Sequence, residues 1–171
     1  MTSIVKAGVP DAGLLAEIGK QTFIESHANS ASASDIERYV SDTYQEDVIR
    51  AELDDPNNLY HVLYHGEQPA GYSKIILNAS HQNIKKPNVT KLERLYLLKE
   101  FYGRRSGYEL LNFNIELSVQ NGQSGMWLFV WVENHRAVRF YERTGFKIIG
   151  SHDFRISGTH SNPNHQMLRM Y

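Results

Sequence analysis

The sequence predicts a single α/β domain on three observations. Its 171 residues, 41% of them hydrophobic, fall within the range of one domain with one sizeable core. Short apolar and aromatic runs alternate with segments of helical period. One of those runs, Trp127 to Val132, is apolar at every position, which suits a central strand covered on both faces. No repeat, linker or low-complexity tract divides the chain.

Taken in order, Ser3 to Ala7 is a strand candidate, and Asp11 is placed to cap a helix whose Leu14, Leu15, Ile18 and Phe23 recur at roughly helical spacing. Ser34 with Glu37 forms an S-x-x-E capping box ahead of a short polar helix. Glu46 to Leu53 reads as a second one, ended by Asp55-Pro56, and this region is expected on the surface. Leu59 to Tyr64 and Ala70 to Leu77, separated by His65-Gly66-Glu67-Gln68, have the pattern of a β-hairpin, and the polar stretch Asn78 to Asn88 reads as a loop. Lys91 to Leu98 is a further strand, followed by a helix from Gly107 to Gln120 with Leu111, Ile115 and Val119 on one stripe. After the central strand, Asn134 is placed to cap a helix that stops at Gly145, before a strand from Phe146 to Gly150. This alternation of strand and helix implies at least one parallel strand pair.

Composition narrows the chemistry. The absence of cysteine excludes disulfides, thiolate metal sites and a cysteine nucleophile, and fits a reducing cytoplasm. Neither a basic leader at Met1 to Val9 nor an apolar stretch near the roughly 20 residues of a membrane span is present, so a soluble cytoplasmic protein without a membrane partner is expected. A formal net charge of -1 gives no broad positive field for nucleic acid. No metal is expected.

The informative stretch starts at Leu92-Glu93-Arg94-Leu95-Tyr96-Leu97 and continues through Phe101-Tyr102-Gly103-Arg104-Arg105-Ser106-Gly107-Tyr108. It reads as strand, basic glycine-bearing turn and helix start, an arrangement that offers backbone N–H groups and a positive helix end to a phosphate. It is neither a P-loop nor a G-x-G-x-x-G fingerprint, and on its own it is equally a solvated loop. The second stretch is Asn134-His135-Arg136-Ala137-Val138-Arg139-Phe140-Tyr141-Glu142-Arg143-Thr144-Gly145-Phe146.

Over essentially its whole length the chain resembles the GNAT superfamily of acetyl-CoA-dependent N-acetyltransferases. Tyr102 to Gly107 occupies the family's Q/R-x-x-G-x-G/A turn, with Tyr102 in place of Gln or Arg and Arg105 in place of the first glycine. The second stretch looks like the family's N-x-x-A-x-x-F-Y-x-x-x-G-F signature. The resemblance implies a central mixed, mostly antiparallel sheet with helices on both faces, and acetyl-CoA (or coenzyme A after transfer) as cosubstrate. It assigns the pyrophosphate to Tyr102, Gly103, Arg104, Arg105, Ser106, Gly107 and Tyr108, with Arg105 expected in a helical or bridge conformation. It assigns the thioester and pantetheine arm to the backbone of Leu95, Tyr96 and Leu97, with Asn134, Ala137, Tyr141 and Arg143 completing the cosubstrate site. It makes Tyr141 the general acid. A protonated amine must also lose a proton before it can attack, and Glu93 is the sequence's candidate base, or equally a structural partner of Lys91 or Arg94. Glu25 and His27 lie where this family builds its acceptor pocket.

Within the superfamily the chain looks most like PaiA-type spermidine/spermine acetyltransferases, through Gln21-Thr22-Phe23, Ala70-Gly71-Tyr72 and Trp127 to Trp131. Between Asp35 and Asp55, acidic residues outnumber Arg38 and Arg50 by eight to two, which suits either a polycation or plain solubility. The expected partner is therefore a small-molecule amine, a polyamine among the options, with the protein a monomer or homodimer. Acetylation of another amine (amino acid, antibiotic or protein terminus) and a non-catalytic acetyl-CoA-binding module remain the alternatives.

Overall fold

A computed structural model describes residues 1–171. A seven-stranded sheet runs β1 (Thr2–Lys6), β2 (Asn58–His65), β3 (Gln68–Ile76), β4 (Thr90–Leu97), β5 (Gly125–Trp131), β6 (Lys147–Arg155) and β7 (Ser161–Met170) along the chain, in the spatial order β1-β2-β3-β4-β5-β7-β6. Every neighbouring pair is antiparallel except β4 and β5. Helices α1 (Ala12–His27), α2 (Ala33–Thr43) and α3 (Glu46–Asp54) pack on one face around Phe23, Tyr44, Tyr60 and Tyr72. On the other face α4 (Ser106–Gln120) and α5 (His135–Arg143) cover Ile75, Leu92, Met126, Leu128 and Met167. The mixed, mostly antiparallel sheet with helices on both faces is thus as expected. No helix is long and apolar enough to cross a membrane.

Local detail departs from the sequence reading in five places. Asp11 stands at the N-cap of α1 but makes no cap bond, because its carboxylate accepts from Gly8 N–H across a 3₁₀ turn at Val9–Asp11. The cap of α2 is Ser32, which accepts from Asp35 N–H, so the Ser34/Glu37 box is not formed. On α4, Leu111 and Ile115 are buried but Val119 is 50% exposed. The buried stripe turns instead through Leu110, Asn114 and Ser118, since Asn114 and Ser118 bond to Ser73 and Thr90 of the sheet. On β5, Phe129 and Trp131 are only half-buried rather than fully covered. The strand expected to stop at Gly150 continues to Arg155, and β7, for which the sequence reading had no strand, returns to lie between it and β5.

Two features of β4 position everything that follows. Opposite β3, Lys74 pairs with Arg94 and Ile75 with Leu92, so Glu93 is an extra, bulged residue. Bulges bend and twist a strand and re-aim side chains. Toward β5 only Thr90 and Lys91 find partners, in Met126 and Trp127. Beyond them the parallel strands part, and Leu92 to Leu97 faces Leu128 to Trp131 across a cleft.

The turn into α4 also differs from expectation. Gly103 (φ +79°) and Arg105 (φ +63°) both lie in the left-handed region, so Arg105 holds at backbone cost the conformation a glycine would take freely. Replacing Arg105 by Gly should stabilise the unliganded protein by roughly 0.5–1 kcal/mol in urea unfolding, strain relief exceeding the added chain entropy. A destabilised Arg105→Gly would mean that the arginine side chain, not its backbone, governs the turn.

Candidate active site

The parted strands leave two connected clefts. The first, about 460 Å³, lies on the α4/α5 side between the turn Tyr102–Tyr108 and helix α5. Its floor is Leu95, Leu97, Ala137 and Phe140. At its mouth the backbone N–H groups of Gly103, Arg104, Arg105, Ser106 and Gly107 make no hydrogen bond within the protein, whereas Tyr108 and Glu109 N–H turn back to Arg105 C=O. Consecutive free donors at the start of a 15-residue helix form a concave seat for an anion. Arg105, Arg136 and Arg143 line the same cleft and add positive charge. Arg136, to which the sequence reading assigned no site role, sits over the Tyr102 ring with its Cζ 3.6 Å from the ring centre. The tyrosine that replaces the family's Gln or Arg thus carries an arginine in its place. Arg104 lines neither cleft and packs instead over Phe101.

The second cleft, about 140 Å³, opens on the opposite face. Phe23, His27, Trp131, Phe129 and Phe154 form its aromatic walls, and Glu93, Arg94, Asn162 and Asn164 are among its polar groups. His27 stacks on Phe23 at 4.3 Å and lies against Trp131 at 5.9 Å, and its Nδ1 is 2.7 Å from Ser26 Oγ. Burial pulls the His27 pKa down to about 4, so the ring is neutral at physiological pH. Glu25 lines neither cleft: it is exposed, and its carboxylate accepts from Lys99 N–H at 2.8 Å.

Tyr141 lines both clefts and is 8% exposed, held edge-on between Phe140 and Phe146. Its hydroxyl has no hydrogen-bond partner in the protein, and burial raises its pKa, so it presents O–H rather than phenolate. Asn134 Oδ1 accepts from Ala137 N–H and fixes the start of α5, with Gly145 (φ +92°) closing its end. On the other wall, Glu93 Oε2 lies 2.6 Å from Lys91 Nζ in an ionic contact. Burial works to raise the Glu93 carboxyl, but Lys91, with Lys74 and Arg94, outweighs it and holds the pKa below the ordinary value. Glu93 is thus a partner of Lys91 and one of the residues that line the second cleft.

Residues 24–146 match the model of the acetyltransferase (GNAT) family. The chain belongs to that family. It is an acetyl-CoA-dependent acyltransferase. Among named relatives, an uncharacterised N-acetyltransferase from the pepI 3′ region of Lactobacillus delbrueckii subsp. lactis is 28% identical over 88% of this chain and 87% of its own. Another, from Mycobacterium bovis, is 28% identical over 89% of this chain and 93% of its own. In fold the chain is similar to the PaiA N-acetyltransferase of Thermoplasma acidophilum, solved in complex with coenzyme A, with a TM-score of 0.81 and 21% identity over 100% of this chain and 99% of that one.

His27 gives a pH test of this geometry. Its folded pKa lies below its unfolded value near 6.5, so its contribution to stability is complete above that pH and is lost as pH falls through about 4. Urea unfolding at pH 7 and pH 5 should show His27→Phe losing less stability over that interval than the parent. Equal losses would mean that the ring is already solvated.

Proposed function

We propose that the chain transfers the acetyl group of acetyl-CoA to the primary amine of a small molecule, with Tyr141 as proton donor and Glu93 as proton acceptor. The observation that carries this reading is Tyr141, which lines both clefts and whose protonated hydroxyl has no partner in the protein. The free N–H groups of Gly103 to Gly107 fit a diphosphate, and the channel floored by Leu95, Leu97, Ala137 and Phe140 fits a narrow, largely apolar arm. Bound there, acetyl-CoA supplies an activated acyl group on sulfur.

The rest is done by this chain's own residues. The edge of β4 from Leu92 to Leu97 that faces β5 has no ladder partner, which leaves backbone donors there for a carbonyl oxygen. Glu93, ionised at neutral pH, takes a proton from the incoming ammonium directly or through one water, and frees the nitrogen lone pair. Attack by the freed nitrogen forms the C–N bond, collapse of the tetrahedral intermediate breaks the C–S bond, and Tyr141 gives its proton to the departing sulfur and is restored by the second proton that the nitrogen sheds. The aromatic walls exclude bulk water from both transfers. A non-catalytic binding module would have no use for a buried hydroxyl at that junction.

A polyamine acceptor has the family resemblance and the exposed acids of α2 and α3 in its favour. None of the carboxylates from Asp35 to Asp55 lines the cleft, however, and Glu52 turns inward to Lys74 and Arg94. Their attraction for a polycation is therefore long-range, and the lining itself is the better guide to the acceptor.

Saturating acetyl-CoA should raise the melting temperature by mass action. Tyr141→Phe should keep that shift while lowering kcat by about tenfold or more in a thiol-release assay, the modest end of general-acid effects. An unchanged kcat with chemistry rate-limiting would reduce Tyr141 to a packing residue, and no thermal shift would remove the cosubstrate assignment.

A further inference from the structure

The charges behind the second cleft do not balance. Glu52 is the sole carboxylate paired with both Lys74 (2.9 Å) and Arg94 (3.0 Å), whose side chains are only 6% and 10% exposed. Arg94 also donates to Tyr60 Oη at 2.5 Å and lies over the Tyr44 ring. The neighbouring tyrosines cannot supply the missing charge, since burial raises the pKa of Tyr44, Tyr60 and Tyr72 and keeps each hydroxyl protonated. Glu93 and Lys91 cancel each other. One positive charge is left in excess in a buried cluster whose Arg94 forms part of the cleft wall. An unmatched buried charge is costly unless an anion comes to it.

The bulge gives this excess a geometry. Glu93 is the residue bulged out of register beside Arg94, and both are among the residues Leu92 to Leu97 that line the cleft. An anion and a cation thus neighbour one another on the strand that forms its wall. Across from them on β7, Asn162 is 4% exposed, and while its Oδ1 meets His160 Nε2 at 2.8 Å, its amide nitrogen has no partner in the protein. That is a spare donor, suited to an acceptor oxygen.

We propose that the acceptor amine carries its own carboxylate, as a small amino acid does, with Arg94 and the Asn162 amide receiving the carboxylate while Glu93 faces the amine. This rests on the N-acetyltransferase reading and deepens it. A second ammonium group, by contrast, would enter against the excess positive charge, which makes polyamines the poorer acceptors. The aromatic walls of Phe23, Trp131 and Phe154 leave the remainder of the substrate an apolar or aromatic space.

Thiol release from acetyl-CoA by the full chain, measured over matched amines in which only the carboxylate changes, tests this directly. Suitable sets are L-alanine, L-alaninamide and ethylamine, and L-phenylalanine, L-phenylalaninamide and phenethylamine, with spermidine as the polycation. In at least one set the amino acid should have the highest kcat/KM, by about tenfold or more over its amide and mainly through KM, as for loss of a charge-assisted contact. Amine reactivity cannot produce that order, because the amide's less basic amine is the easier to deprotonate. Lys74→Met, which removes the excess charge at a residue lining neither cleft, should shrink the preference several-fold, read as the ratio of kcat/KM for the amino acid to that for its amide, in which any change it makes through Glu93 cancels. Should that variant fail to fold, the parent's order of acceptors still decides. If amides, simple amines or spermidine match or exceed every amino acid, the carboxylate proposal falls and N-acetylation stands. If no amine releases thiol although acetyl-CoA binds, both fall.

Discussion

Everything functional in this chain depends on two parallel strands that stop pairing. β4 and β5 share a ladder at Thr90 and Lys91 only, and a sheet that opened there without support would expose polar backbone to an apolar interior. The opening is held from both sides. On one side the β3 ladder holds β4 across the bulge at Glu93, from Lys91 to Leu97, and on the other β5 is anchored on its far edge by a ladder to β7 from Gly125 to Trp131. The cleft is therefore a property of the sheet, not of mobile loops, and the groups on its walls inherit the sheet's rigidity.

Its two mouths have opposite chemical character on a shared frame. On the α4/α5 side, free backbone donors and arginines on an apolar floor suit a long anionic molecule, and little in that seat depends on side-chain identity except positive charge. On the other side the walls are aromatic and the polar groups few and individually placed, so side chains decide what enters. Tyr141 touches both regions. Its ring is fixed by Phe140 and Phe146, so the hydroxyl's position is set by core packing, the same packing that keeps it protonated.

Much of this was legible in the sequence where a local rule governs the outcome. Asn134 and Gly145 delimit α5 through cap chemistry, the hairpin of β2 and β3 follows from two apolar runs on either side of a glycine-bearing turn at His65 to Gln68, and the glycine-bearing turn Tyr102 to Tyr108 does stand at a helix start. What was not legible depends on contacts between distant segments. The bulge at Glu93 is defined only by what β3 does opposite it. Arg105 in a left-handed conformation contradicts its residue type, and the sequence alone favours a helical or bridge geometry there. Arg136 gains a place in the first cleft only because Tyr102, more than thirty positions earlier, lies beneath it. Glu25 shows the converse: it stands two residues from His27, which lines the second cleft, yet its carboxylate lines neither cleft and accepts from Lys99 N–H. The polar strand Ser161–Met170 offered little apolar alternation and was missed, and Asn162 and Asn164 with it.

That last strand also sets the order in which the molecule can be completed. β6 precedes β7 in the chain but lies outside it in the sheet, and its ladder is with β7 alone. While a ribosome is still short of residues 161–170, β6 has nothing to pair with, and the open edge of β5 stays uncovered. The second half of the sheet therefore closes in one late step, by insertion of a strand between two that already exist. Nascent or truncated chains lacking it would keep the first cleft's turn and α5 but lose one wall of the second, and would offer an unpaired β5 edge to any other extended chain.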